Sequence, residues 1–327
     1  MIGMMKMRKM VKMLTVLLLT LLTSGMLPPS AADANEVVRI GIIQVVEHPA
    51  FDASREGFIA ALRNAGIPAE FDYQNAQGDI PTLSTIAQRF VSNNVDLVLA
   101  VGTSSVQAIA AETYSIPIVG TSITSYVRAG VAESNEAPGF NVTGAANLNP
   151  IEAQIKMILE FMPDIQTLGM AFSSSEANSV YQVYVARGVA ESLGLTVIES
   201  TVTSTIEVQQ NAVSLAGRVD AIWIPTDNTH ANAMPVVGQV SIDTGVPVFA
   251  AEDSMTMGGA VASLGIDYFE LGYQSGGMAI QILRGEGEPA TMPIQFPQRF
   301  TYVVNGFMAD ALGMYVPEQY REFIQYP

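Results

Sequence analysis

From residue 38 onward, short apolar runs alternate with longer stretches in which apolar positions recur every three or four residues. The first such unit sets the pattern. Residues 38–46 are rich in β-branched side chains (Val38, Ile40, Ile42, Ile43, Val45, Val46) and stop at the polar, Pro-broken Glu47-His48-Pro49. The period then changes to about 3.6, with Phe51, Phe58, Ile59 and Leu62 on one helical face, Asp52, Arg55, Glu56 and Arg63 on the other, and Asn64-Ala65-Gly66 as a stop. This reads as strand, loop and helix. The grammar repeats as predicted strands at 71–74, 95–101, 116–120 and 141–147, with helices at 80–93 and 106–113. After a helix opened by Pro150 and running to residue 161, strands at 167–172, 196–200, 221–225 and 246–250 alternate with helices at 177–193, 206–216 and 231–244. Apolar runs of this kind mark strands buried on both faces, so the fold class is α/β with parallel sheets. The length of the chain points to two lobes rather than one.

The first 34 residues stand apart from this pattern. Lys6, Arg8, Lys9 and Lys12 precede an apolar core at 13–22, and Ala32-Asp33-Ala34 offers an A-x-A cleavage site, which is the pattern of a secretory signal peptide. The apolar core is shorter than the roughly 20 residues of a spanning helix. The chain has no cysteine, which removes disulfides, thiolate chemistry and the lipidated cysteine of a bacterial lipoprotein. A soluble, periplasmic, unlipidated protein is expected. Its formal charge of −16 becomes about −19 without the leader, which argues against a nucleic-acid partner and suits a small solute or a protein.

Candidate chemistry collects at the carboxyl ends of the predicted strands, where open α/β sheets place their ligands. Gln44, Glu47 and His48 follow the first strand. Thr103, Ser104 and Ser105 meet a helix start, where hydroxyls and free N–H groups can converge on an anion, although Ser and Thr are also ordinary helix caps. Thr121, Ser122 and Tyr126 lie in a second hydroxyl-rich loop, and Ser174, Asn178, Asp227, Asn228, Glu252 and Asp253 follow strands of the second half. Enzyme readings are weak. No G-x-G-x-x-G follows the first strand, and there is no G-x-x-x-x-G-K-[ST] or G-x-S-x-G. The two histidines, His48 and His230, carry no metal-ligand spacing, so neither a metal nor a cofactor is expected.

With these loops in view, the chain resembles the type I periplasmic solute-binding proteins of ABC importers, and most of all their tryptophan and aromatic amino acid binding branch. The resemblance spans nearly all of 37–304 and rests on QVVEHPAFDASREGF (44–58), GTSSVQA (102–108), SSSEANS (173–179), SLGIDY (263–268) and Leu271-Gly272. Where the family often carries Thr-Asp-Pro, Thr124-Ser125-Tyr126 stands, which removes an acidic group from the first-lobe rim. The resemblance implies two Rossmann-like lobes joined by a three-segment hinge. Residues 35–147 plus about 267–297 would form one lobe, and 148–266 plus about 298–327 the other. It also implies an ABC permease as partner, with the binding protein itself a monomer. An α-amino acid suits the loops: Thr103, Ser104, Ser105, Thr121 and Ser122 would hold its carboxylate, and Asp227, with Asp253 or Glu252 in reserve, its ammonium. Tyr126, Tyr181 and Phe51 could stack on an aromatic side chain. An exported ligand sensor that docks onto a membrane receptor would share the same cleft.

Overall fold

The structure, a computed structural model, describes residues 37–327; the predicted signal peptide lies outside these. The first sheet is built from β1 (Val38–Gln44), β2 (Ala69–Asn75), β3 (Leu97–Val101), β4 (Ile118–Ile123) and β5 (Val142–Ala146). All its pairings are parallel, in the order β2-β1-β3-β4-β5. Its strands are joined by α1 (Pro49–Asn64), α2 (Ile80–Ser92) and α3 (Thr103–Glu112). The second half contributes α4 (Ile151–Phe161), β6 (Thr167–Ser173), α5 (Ala177–Ser192), β7 (Thr196–Val202), α6 (Val208–Ala216), β8 (Ala221–Ile224), α7 (Asn228–Ala231), α8 (Met234–Thr244) and β9 (Val248–Ala250). Its sheet, again parallel, runs β7-β6-β8-β9. Then follow α9 (Asp253–Gly259), β10 (Ala262–Gly265), α10 (Tyr268–Leu283), β11 (Thr301–Asn305), α11 (Gly306–Ala311) and the short β12 (Ile324–Gln325). In the small third sheet β11 pairs antiparallel with β10 and parallel with β12.

The apolar residues segregate into separate cores, which defines two lobes. One core gathers Phe58, Leu62, Phe90, Leu99 and Tyr126 around the first sheet and includes Ala279 of α10 and Ile294. Another packs Trp223, Phe249, Phe161 and Met170 together with Val304, Met308 and Tyr320 from the C-terminal segment. A third covers the opposite face of the second sheet with Leu215, Ile222, Val237 and Met255. The chain passes from the first sheet to the second after β5, returns with α10, and leaves again after Gln295, which bridges to Ala145.

Several boundaries differ from the sequence pattern for identifiable reasons. The predicted 116–120 strand runs on through Thr121 and Ser122 to Ile123, with a register shift against β5 after Gly120. The predicted 231–244 helix is instead a four-residue α7 and a separate α8, because Pro235 lacks an N–H and is accommodated in the first turn of a new helix. Thr103 is the first helical residue of α3 rather than a loop residue. Asp79 caps α2 where the pattern implies a helix start, and Asp267 and Asn305 likewise cap α10 and α11 with their side chains.

The return of α10 to the first lobe depends on glycine. A Cβ on Gly57 of α1 would sit 2.0 Å from the Phe269 carbonyl oxygen, and one on Gly272 of α10 only 1.8 Å from that of Ser54. The two helices therefore cross backbone against backbone, with no space for a methyl group. Gly272→Ala should cost about 3 kcal/mol or more by overpacking. Gly277, in the same helix but with nothing within 4 Å of its Cβ position, should gain roughly 0.5–1 kcal/mol on replacement by Ala, through helix propensity. Urea denaturation of both variants checks the pair, and similar effects at the two positions would contradict the crossing.

Candidate functional site

In a doubly wound sheet the crevice opens where the strand order reverses, here between β1 and β3 in the first lobe and between β6 and β8 in the second. The residues just beyond those four strands converge. A narrow, partly open cavity of about 30 Å³ lies between the lobes. From the first lobe it is lined by His48, Ala50, Phe51, Thr103, Ser122 and Thr124, and from the second by Asn178, Thr226, Asp227, Asn228, Ala231, Glu252 and Met255. Asn147 and Tyr268 line it from two of the connections between lobes.

The first-lobe wall is a donor surface. Gly102 precedes α3 with φ +92°, a conformation few other residues adopt, and a side chain there would press on Val45 and Phe51. No side chain caps this helix, so its first N–H groups are open at the cavity edge. Thr103 is buried, and its hydroxyl has no hydrogen-bond partner among the described residues. Ser122 is a non-glycine residue held at φ +58°, and its hydroxyl lies 2.8 Å from that of Ser54. Backbone strain of this kind is a recurrent feature of ligand sites.

The second-lobe wall is acidic. Asp227 is buried and caps α7: Oδ1 accepts from the His230 N–H and lies 2.8 Å from His230 Nδ1, and Oδ2 accepts from the Ser173 N–H at 2.6 Å. Burial works against its charge, but the His230 ring and these N–H donors outweigh it and hold the carboxyl below its usual range. Beside it, Glu176 accepts from the backbone and side chains of Asn228 and Thr229. Its carboxyl is nevertheless pushed up to about 6, by burial first and by Asp227 next. Glu252 caps α9 through Ser254 and Met255.

The lobes also touch each other around the cavity. On one side His48 Nε2 lies 3.1 Å from Ser254 Oγ and 3.7 Å from Glu252. The single Ser254 hydroxyl proton faces the Glu252 carboxylate at 2.8 Å, so His48 is the donor to Oγ. On the other side Gln182 donates to Thr124 Oγ1 at 3.3 Å, and the Arg128 guanidinium sits 5.5 Å from the Tyr181 ring centre.

Of the residues singled out from sequence, His48, Thr103, Ser122, Asn178, Asp227, Asn228 and Glu252 are brought together here, with Phe51. The others stand off the cavity. Gln44 is clamped by Val46, Asp52 and Arg55 and braces the start of α1. Glu47 and Ser174 are exposed. Ser104 is half-buried on α3, while the hydroxyls of Ser105 and Thr121 are buried without lining the cavity. Tyr126 is a core plug, lying against Gly120 and Gly144 and donating to the Ala145 carbonyl. Asp253 turns away toward β10, where it accepts from Ser263. Sequence reasoning gave no site role to Asn147 or Tyr268, whose side chains are 3.3 Å apart. Tyr268 lay within a recognised motif, but only the return of the chain brings it to the cavity.

A cleft between two lobes, lined by polar groups from both, is what a solute receptor needs. The chain belongs to the ABC transporter substrate binding protein family, which it matches over residues 39–322. It is 36% identical over 286 residues to a tyrosine-binding protein of Clostridioides difficile, covering 86% of this chain and 83% of that one. A Streptococcus pneumoniae ABC domain in complex with L-Trp is 32% identical, with a TM-score of 0.85 over 89% of this chain and all of that one. The ligand-free, open structure of a Clostridium difficile substrate binding protein with adhesive properties is 39% identical, with a TM-score of 0.70 over 89% of this chain and 99% of that one. The open protein is thus the nearer of these two in sequence and the more distant in shape.

Asp253 makes the stability of this region pH-dependent. Its carboxyl is pushed up to about 7, by burial first and by Glu252 and Asp267 as well. The folded chain therefore keeps a proton that the unfolded chain, with the ordinary value of 3.8, releases, so stability falls as pH rises from about 4 to about 7. Asp253→Asn should stabilise the protein by up to about 4 kcal/mol near pH 8 and hardly at all near pH 4. Denaturation at the two pH values checks this, and an equal effect at both would contradict it.

Proposed function

We propose that the protein is a periplasmic receptor that captures an aromatic α-amino acid between its lobes and delivers it to an ABC permease in the membrane, without catalysing a reaction. The observation that carries this reading is the opposed polarity of the cavity walls. The first lobe offers an uncapped helix N-terminus and the unpartnered Thr103 hydroxyl, which suit a carboxylate. The second lobe offers buried acceptors, which suit an ammonium group. A zwitterion spanning both joins the lobes. Phe51, Met255 and the Tyr268 ring supply apolar surface for an aromatic side chain. The tyrosine-binding relative and the L-Trp complex support the same class of ligand.

Residues 37–147 with about 267–297, and 148–266 with about 298–327, act in this reading as two bodies that swing together, populated in the closed form by contacts the ligand makes to both. The contacts of His48 with Ser254 and of Thr124 with Gln182, and a closer likeness in shape to the L-Trp complex than to the ligand-free, open protein, support reading the arrangement described here as closed. In this reading the protein works as a monomer, with both lobes that line the cavity coming from one chain. Described residues include no helix long and apolar enough to cross a membrane.

In a thermal-shift screen, L-tyrosine and L-tryptophan should raise the melting temperature, because a ligand that binds only the folded state stabilises it, and glucose and myo-inositol should not. A shift with a sugar and none with any amino acid would reject the reading. Thr103→Val should weaken amino acid binding about 10- to 100-fold, the worth of a hydrogen bond to a charged group. Its melting temperature without ligand should hold, since that hydroxyl has no partner to lose.

A further inference from the structure

Resting on the reading of the ligand as an α-amino acid, we propose that its ammonium group is received by the side-chain oxygen of Asn178, a neutral acceptor, with the Asp227 and Glu176 carboxylates supplying negative potential from behind it. Five second-lobe side chains on the cavity wall carry an oxygen that can accept from an ammonium: Asp227, Glu252, Asn178, Thr226, whose hydroxyl already receives the Gln182 amide, and Asn228, which is only half-buried. The two carboxylates are already committed to their own lobe. Asp227 takes two N–H donors and the His230 ring, and its side chain is completely buried. Glu252 takes the Ser254 and Met255 N–H groups and the Ser254 hydroxyl on both of its oxygens.

Asn178 differs. Its Nδ2 donates to the Thr226 carbonyl at 2.8 Å and faces Glu176 Oε2 at 3.4 Å. Both neighbours are acceptors, so rotating the amide would set oxygen against oxygen, and the orientation is fixed by the network. The opposite edge of the amide is thereby left for the cavity. Its Oδ1 is buried and has no partner among the described residues. A buried carbonyl oxygen without a donor is unfavourable unless a ligand supplies one, and an ammonium group brings three. The field at this position selects a cation: Asp227 and Glu176 flank α7 immediately behind, and Glu176 also polarises the Asn178 amide.

The test compares two ligands on the wild-type chain and its variants by calorimetry: L-tyrosine and 3-(4-hydroxyphenyl)propionate, which keeps the carboxylate and the ring and lacks the amine. Wild type should prefer L-tyrosine by about 10- to 100-fold, the worth of a charge-assisted hydrogen bond. Asn178→Ala should abolish most of that preference, leaving the two affinities within about threefold, whereas damage to packing alone would weaken both ligands together. Asn178→Ser, which keeps a small polar side chain in the first turn of α5 but falls short of the cavity, should lose the preference too and serves if the alanine variant folds poorly. Thr103→Val should weaken both ligands alike and keep the preference. A preference retained in both Asn178 variants would overturn the assignment. Wild type binding neither ligand would overturn the amino-acid reading itself, a result distinguishable from the first.

Discussion

A helix that begins without a cap needs something else to satisfy its first N–H groups, and α3 begins this way at the centre of the molecule. Gly102 makes the turn into it, and Thr103 adds a buried hydroxyl with no partner among the described residues. Water or a bound anion must satisfy such a group. Everything around it serves to present that helix end to the other lobe. The order of the first sheet opens a crevice beyond β1 and β3, and the order of the second opens one beyond β6 and β8. The crossing of α1 and α10 at Gly57 and Gly272 anchors the returning chain to the first lobe.

The second lobe is organised the other way round. Its carboxylates are held in place by hydrogen bonds from the protein: Asp227 from Ser173 and His230, Glu176 from the start of α7, Glu252 from the start of α9. Burying charges is costly unless they are hydrogen-bonded, and each of these is. What the lobe then offers a ligand is their field and a neutral oxygen in front of it, an arrangement that lets a cation leave again more readily than a bare buried carboxylate would. Release matters as much as capture in a receptor that must hand its solute on.

The alternation of strand and helix, and the positions of the cavity loops, were legible in the sequence because parallel βα units write themselves as buried apolar runs and amphipathic periods. That is why His48, Thr103, Asn178 and Asp227 were found from strand ends alone. Which hydroxyl faces the cavity was not legible. Thr103, Ser104 and Ser105 are equivalent as sequence, and only the helical rotation starting at Thr103 separates them. The capping residues look the same as ligand residues for a similar reason, since Asp227 and Glu252 use one chemistry for both tasks. Gln44 is consumed by Asp52 and Arg55, eight and eleven residues further on, a local contact that no periodicity reveals. Asn147 and Tyr268 meet across 121 residues of chain, which only the fold brings together.

The central claim is that a ligand bridging donor and acceptor walls brings the two lobes together. Small-angle X-ray scattering on the protein with and without saturating L-tyrosine tests it most directly. The account predicts a smaller radius of gyration with ligand and a scattering curve that the arrangement described here reproduces. Calorimetric binding of L-tyrosine without any compaction would contradict it.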